Sequence, residues 1–209
     1  MEQLNAEWRE GFLFVGNHTI LDLINTKPMM DGSPRELLVN WQAVVRWFQM
    51  AKILERVQAQ SLAQKWDGTP QAEAFVKDLR QFREGLRRAV IAFEARQPAP
   101  RKDIEALNRL LCAHRTYPKL FESDGQLQRV ESFESKRPED LFSPLARAAA
   151  ELLVDTDLSR VRQCENCILH FHDTSKNATR RWCSMHLCGN RAKVAAYAQR
   201  KRNRAPAYS

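Results

Sequence analysis

The chain has 209 residues, enough for one domain or one with a small appendage, and its 44% apolar and 28% charged residues are ordinary for a soluble globular protein. No apolar run approaches the roughly 18 residues that span a bilayer, and Met1 to Glu10 lacks the basic-then-apolar pattern of a signal peptide, so the expected location is cytoplasmic. The formal net charge of +8 is unevenly divided: residues 1–159 carry 22 Lys and Arg against 23 Asp and Glu, while 160–209 carry 11 against 2.

After an apolar opening, Gly11 to Val15, a short helix is expected over His18 to Ile24, closing on Asn25-Thr26-Lys27-Pro28. Asn17, His18, Asp22, Asn25 and Thr26 gather around it as a candidate ligand pocket; the competing reading is helix capping and turn hydrogen bonds. Ser33 and Pro34 read as an N-cap and first-turn pair with Glu36 near the positive end of the dipole. Leu37, Leu38, Trp41, Val44, Val45 and Phe48 then recur at helical spacing, predicting a helix from about Pro34 to Ala51.

Further helices are expected over Val57 to Trp66, over Gln71 to Ala95 through Phe75, Leu79, Phe82, Leu86, Val90 and Phe93, and over Lys102 to His114. Cys112 in the last of these reads as a buried thiol. Tyr117 to Glu122 and Gln126 to Ser132 flank Asp124-Gly125 and form the best strand pair. A last core helix runs from about Leu141 to Val154, and Asp155 to Ser159 forms a polar joint.

Beyond that joint, Cys164, Cys167, Cys183 and Cys188 are spaced C-x2-C-x15-C-x4-C. Two cysteines a few residues apart can turn both sulfurs toward one ion, and in a reducing compartment such thiols bind metal in preference to forming disulfides. Four thiolates close the shell of one structural zinc ion, leaving no place for water or substrate. His170, His172 and His186 are substitute ligands for which such a shell has no need. Two short strands joined by a metal-bearing turn are expected over Val161 to His172, and a helix from Gly189-Asn190 to about Arg202. On that helix Val194 and Ala198 share a thin apolar face, suited to docking on the zinc module, with Lys193, Tyr197, Arg200 and Arg204 near the opposite one. Clustered Lys and Arg suit a polyanion, because phosphate contacts release counterions. Trp182 could stack on a base, but a small zinc module needs apolar filling.

Cys188-Gly189-Asn190-Arg191, preceded by Arg181-Trp182-Cys183-Ser184-Met185 and the Cys164/Cys167 pair, resembles the CGNR zinc finger family over roughly residues 160–204. The front part is similar to the ABATE domain through Leu21-Asp22-Leu23-Ile24-Asn25-Thr26 and the helix carrying Trp41. The resemblance implies a bacterial, stress-linked transcription regulator whose finger binds double-stranded DNA and whose ABATE domain is a sensor.

The expected fold is α+β and predominantly helical: a helical domain with a small β-hairpin over residues 1–156, and a treble-clef-like or ribbon-like zinc module ending in a basic helix over 157–209. Candidate DNA contacts are Arg180, Arg181, Asn190, Arg191, Lys193, Tyr197, Arg200, Lys201, Arg202 and Arg204. A small-molecule effector in the front domain and a homodimer are candidate partners, a membrane is not, and RNA remains open beside DNA. No Gly-rich phosphate loop, nucleophile elbow or HExxH pattern is present, so no enzyme is expected. The alternative is a zinc-stabilised protein-interaction module without direct DNA readout.

Overall fold

Two tight hairpins frame the first helix. A computed structural model describes residues 7–123 and 125–204, with residues 203 and 204 by backbone alone. Strands β1 (Trp8–Arg9) and β2 (Phe12–Leu13) pair antiparallel across Glu10 and Gly11, both at positive φ, the turn geometry that follows strand twist. Helix α1 (Thr19–Ile24) is capped by His18, whose Nδ1 accepts from the Ile20 amide at 3.2 Å. Ile20, Leu21, Leu23 and Ile24 are all fully buried, so this short helix lies inside the molecule.

Strands β3 (Met29–Met30) and β4 (Ser33–Pro34) form the second hairpin, and here the structure corrects the sequence reading. Ser33 and Pro34 do not begin a helix, because Asp31 and Gly32 adopt positive φ and turn the chain back on itself. Helix α2 (Trp41–Met50) starts later, at Asn40, whose Oδ1 accepts from the Ala43 amide at 2.9 Å. Leu38 is buried as its apolar character demands, but ahead of the helix.

Helices α3 (Arg56–Trp66), α4 (Pro70–Glu94), α5 (Arg101–Ala113) and α6 (Phe142–Val154) follow, close to the expected spans. Their apolar faces meet in one core, where Phe75 lies edge-on to Trp41 with centroids 5.9 Å apart and 4.8 Å from Phe142. Within it Arg83 of α4 is buried and forked onto Glu36 at 2.7 and 2.6 Å, with Thr26 Oγ1 accepting at 3.0 Å. Burial works to raise the Glu36 pKa, yet the Arg83 guanidinium holds it below the usual carboxylate range. Cys112 is exposed, contrary to expectation, because α5 turns Leu107, Leu110 and Leu111 to the core and leaves Cys112 off that face.

Strands β5 (Tyr117–Ser123) and β6 (Gln126–Ser132) form the anticipated hairpin, in register from Tyr117 opposite Ser132 to Ser123 opposite Gln126. Asp124, named as half of its turn, lies outside the described residues, as does the Arg204 side chain. Past α6 come β7 (Val161–Gln163), β8 (His170–His172), a π-turn over Met185–Gly189 and α7 (Asn190–Arg204). The fold is thus α+β with helices dominant, and no described helix is long and apolar enough to cross a membrane.

Candidate metal centre and nucleic-acid interface

Strand β7 delivers Cys164, and the turn to β8 brings Cys167 beside it, with the Cys164 amide donating to the Leu169 carbonyl at 2.8 Å. Cys183 is brought in by the segment after the loop, where the Glu165 amide donates to the Arg181 carbonyl at 3.1 Å. Ser184 then starts the π-turn, its Oγ accepting from the amides of His186 and Leu187 at 3.0 and 3.2 Å, which carries Cys188 back to the cluster. The four sulfurs lie within 4.8 Å of one another, and Cys167 Sγ to Cys183 Sγ is 3.7 Å. Tetrahedral thiolates at zinc–sulfur distances of ~2.3 Å stand ~3.8 Å apart, so the donor set fits zinc. Hydrogen bonds from the Cys167 and Cys183 thiols hold the Cys164 pKa far below the thiol range. The reciprocal contact with Cys164 pushes the Cys167 pKa up to about 12 and raises that of Cys183 as well. These cysteines hold one structural Zn2+, and the second pair at a helix entry makes the module treble-clef-like. Among the described residues no histidine joins the cluster.

The module shares its core with the start of the chain. Leu13 and Val15 are buried with Cys164, Leu169, Phe171, Cys183 and Cys188, while Trp8, Trp182 and Leu187 pack around them. Asn25 exchanges two hydrogen bonds with the backbone of His170, Nδ2 donating to its carbonyl at 2.8 Å and Oδ1 accepting its amide at 2.9 Å. His170 Nδ1 lies 3.0 Å from Glu94 at the end of α4. Gly16 donates to Asp22 Oδ1 at 2.7 Å and accepts from the His172 amide at 2.8 Å. A Cβ at Gly16 would stand 2.7 Å from Leu21 Cβ, so the close approach requires glycine.

Residues named as a candidate pocket therefore occupy the joint or its helix. Asn17 donates to the His172 carbonyl at 3.0 Å, His18 caps α1, and Thr26 donates to the Leu23 carbonyl at 2.7 Å while accepting from Arg83. Burial pushes the Asp22 pKa up to about 6 despite the Gly16 and Val15 amides. A cleft of about 630 Å³ lies elsewhere, between α4 and α5, floored by Phe82, Leu86, Leu107 and Phe142. Sequence reasoning missed Gly16, Glu94 and His170 at the joint; the available signal was a histidine set between two apolar residues, Leu169 and Phe171, that are both buried.

Of the basic residues, Arg180 is turned inward. Its guanidinium lies 4.3 Å from the Phe171 ring centroid and donates to the carbonyls of Trp182, Val15 and Cys183. Arg181 forks onto Glu165 at 2.8 and 2.5 Å and covers Trp182. Asn190, Arg191, Lys193, Tyr197, Arg200, Lys201 and Arg202 are all exposed on α7. The expected docking of Val194 and Ala198 does not occur, Val194 being 68% exposed, because Leu13, Val15 and Trp8 already fill the module that the helix would have covered. Among the described residues no ion pair engages Arg191, Lys193, Arg200, Lys201 or Arg202, and α7 contains no acidic residue.

Fold and site define a helical domain joined to a four-thiolate zinc finger that ends in a free basic helix. Residues 17–156 match the ABATE model, described as "Putative stress-induced transcription regulator", and residues 160–201 match the CGNR zinc finger. The chain belongs to the ABATE family and carries a CGNR zinc finger behind it. Neither is an enzyme family. Comparison with curated proteins finds no match.

Proposed function

We propose that the chain is a cytoplasmic DNA-binding transcription regulator in which zinc fixes the base of α7 and α7 meets the duplex. The observation that carries this reading is the unpaired positive charge of α7 on a chain whose first 159 residues are balanced. At helical spacing Lys193, Tyr197 and Arg200 form one exposed stripe, with Asn190 and Arg191 at its entrance. A helix of this kind fits a major groove, its cations positioned by phosphates and its polar side chains against base edges. Arg181 reaches phosphate only by exchanging Glu165, and Arg180 supports the module from within. The cleft between α4 and α5 is the place in the front domain for an effector.

A second reading, a protein-interaction finger, is favoured by the exposure of Val194 and Tyr197, which a protein groove would cover. Selection of bound sequences from a random double-stranded pool at ~150 mM salt separates the two. Zinc-loaded protein is expected to enrich a motif that the Cys183→Ser variant does not. Absence of enrichment would favour the interaction module.

A further inference from the structure

The hairpin β5–β6 is exposed along nearly its whole length, tied to the helical body through Glu131 and Arg147 of α6, and among the described residues neither outer edge meets another strand. A two-stranded ribbon is marginal in water on its own. Its register puts Tyr117, Phe121 and Val130 on one face and Leu120 and Leu127, 66% and 72% exposed, on the other. Both faces thus expose apolar side chains, partly on the first and largely on the second.

We propose that β6 pairs antiparallel with β6 of a second copy of this chain, giving a four-stranded sheet across a two-fold axis at Val130. A two-residue connection closes on a bonded pair, Ser123 with Gln126, and bonded and unbonded pairs alternate from there. The backbone groups of Leu127, Arg129 and Glu131 therefore face away from β5, and on β5 those of Pro118, Leu120 and Glu122 do. Pro118 has no amide to offer, which closes the β5 edge to a further strand. The β6 edge carries no such block.

Charge selects both the partner and the register. Centred on Val130, the two strands place Arg129 of each copy opposite Glu131 of the other, and Gln128 opposite Ser132. Centred on Arg129 they would oppose two arginines, and like charges directly opposite are unfavourable. Within one copy Glu131 takes Arg147 of α6 at 2.6 Å on Oε2 and its own Arg129 at 3.7 Å on Oε1, so on pairing Arg129 exchanges this long intrachain contact for Glu131 of the other copy. Val130 meets its counterpart at the axis, with Phe121 and Tyr117 of both copies on the same face of the new sheet. This self-complementarity is what an isologous interface requires, and a second copy satisfies it better than an unrelated strand.

Sedimentation of the full zinc-loaded chain over a concentration series tests the proposal. The wild type is expected to show a monomer–dimer equilibrium, and Arg129→Glu, at an exposed position, to raise the dimer dissociation constant about tenfold. In a Cys112→Ser background, Val130→Cys should form an interchain disulfide on mild oxidation and Gln128→Cys, displaced from its own counterpart, should not. A wild type that stays monomeric, a dimer untouched by Arg129→Glu, or equal cross-linking at the two positions would overturn the proposal.

Discussion

The helical body and the zinc module are held together by different means. In the body, Trp47, Phe48, Phe75, Ile20 and Leu79 are fully buried in one continuous core, and apolar burial is the main force that holds it. The module buries few residues, three of them metal-ligand cysteines, and takes Leu13 and Val15 from the other end of the chain. A small module cannot fold on apolar area alone. It depends on metal at its centre and on the joint at its base, and the contrast predicts which changes stay local.

Cys183→Ser should have the largest effect, since structural zinc contributes about 10 kcal/mol or more of folding free energy to such a module. Zinc content should fall to near zero, with rapid amide exchange over residues 160–189 and at Leu13 to Asn17, while α2 to α6 stay protected. Full zinc content would break the comparison at its root. Arg83→Ala should do the reverse, leaving the Glu36 carboxylate half-buried without its partner. A loss of about 3–5 kcal/mol in urea unfolding is expected, with zinc content intact.

The joint contributes a pH dependence. Because the folded state raises the Asp22 pKa from 3.8 to about 6, it binds that proton more tightly than the unfolded chain does. The contribution of Asp22 is therefore most favourable below about pH 4 and weakens as pH rises through about 6. Over that window the change amounts to at most about 3 kcal/mol. Asp22→Asn keeps an acceptor for the Gly16 amide and should flatten this part of the stability profile; an unaltered profile would remove Asp22 from the account. Asn25→Ala should be smaller, about 2 kcal/mol, from two buried backbone groups of His170 left without partners. Faster amide exchange in β8 with zinc retained would place the joint where the structure puts it.

Local signals made much of this legible from sequence. The apolar repeat from Phe75 to Val90 gave α4 within a residue or two, Asp124-Gly125 between alternating segments gave the hairpin, and the cysteine spacing gave the metal centre. Misreadings arose where one period fitted two structures: Leu37 and Leu38 continue the helical repeat of α2 although a hairpin turn at Asp31 and Gly32 keeps them outside it. The joint was illegible because the contacts that close it are long-range, 145 residues between Asn25 and His170 and 76 between Glu94 and His170, and Asn25 is an unremarkable helix-end residue until His170 lies across from it. For α7, an apolar pair at helical spacing implied docking, but whether a face is covered depends on what else fills the module.

The central claim is that zinc presents α7 as a nucleic-acid surface. Its most direct test is the salt dependence of duplex DNA affinity, by fluorescence anisotropy, for the zinc-loaded wild type and an Arg200→Ala, Arg202→Ala variant. Affinity is expected to fall steeply with salt for the wild type, and the slope of log affinity against log salt to decrease by up to about two in the variant with zinc unchanged. Binding insensitive to salt, or an identical slope in both proteins, would contradict it.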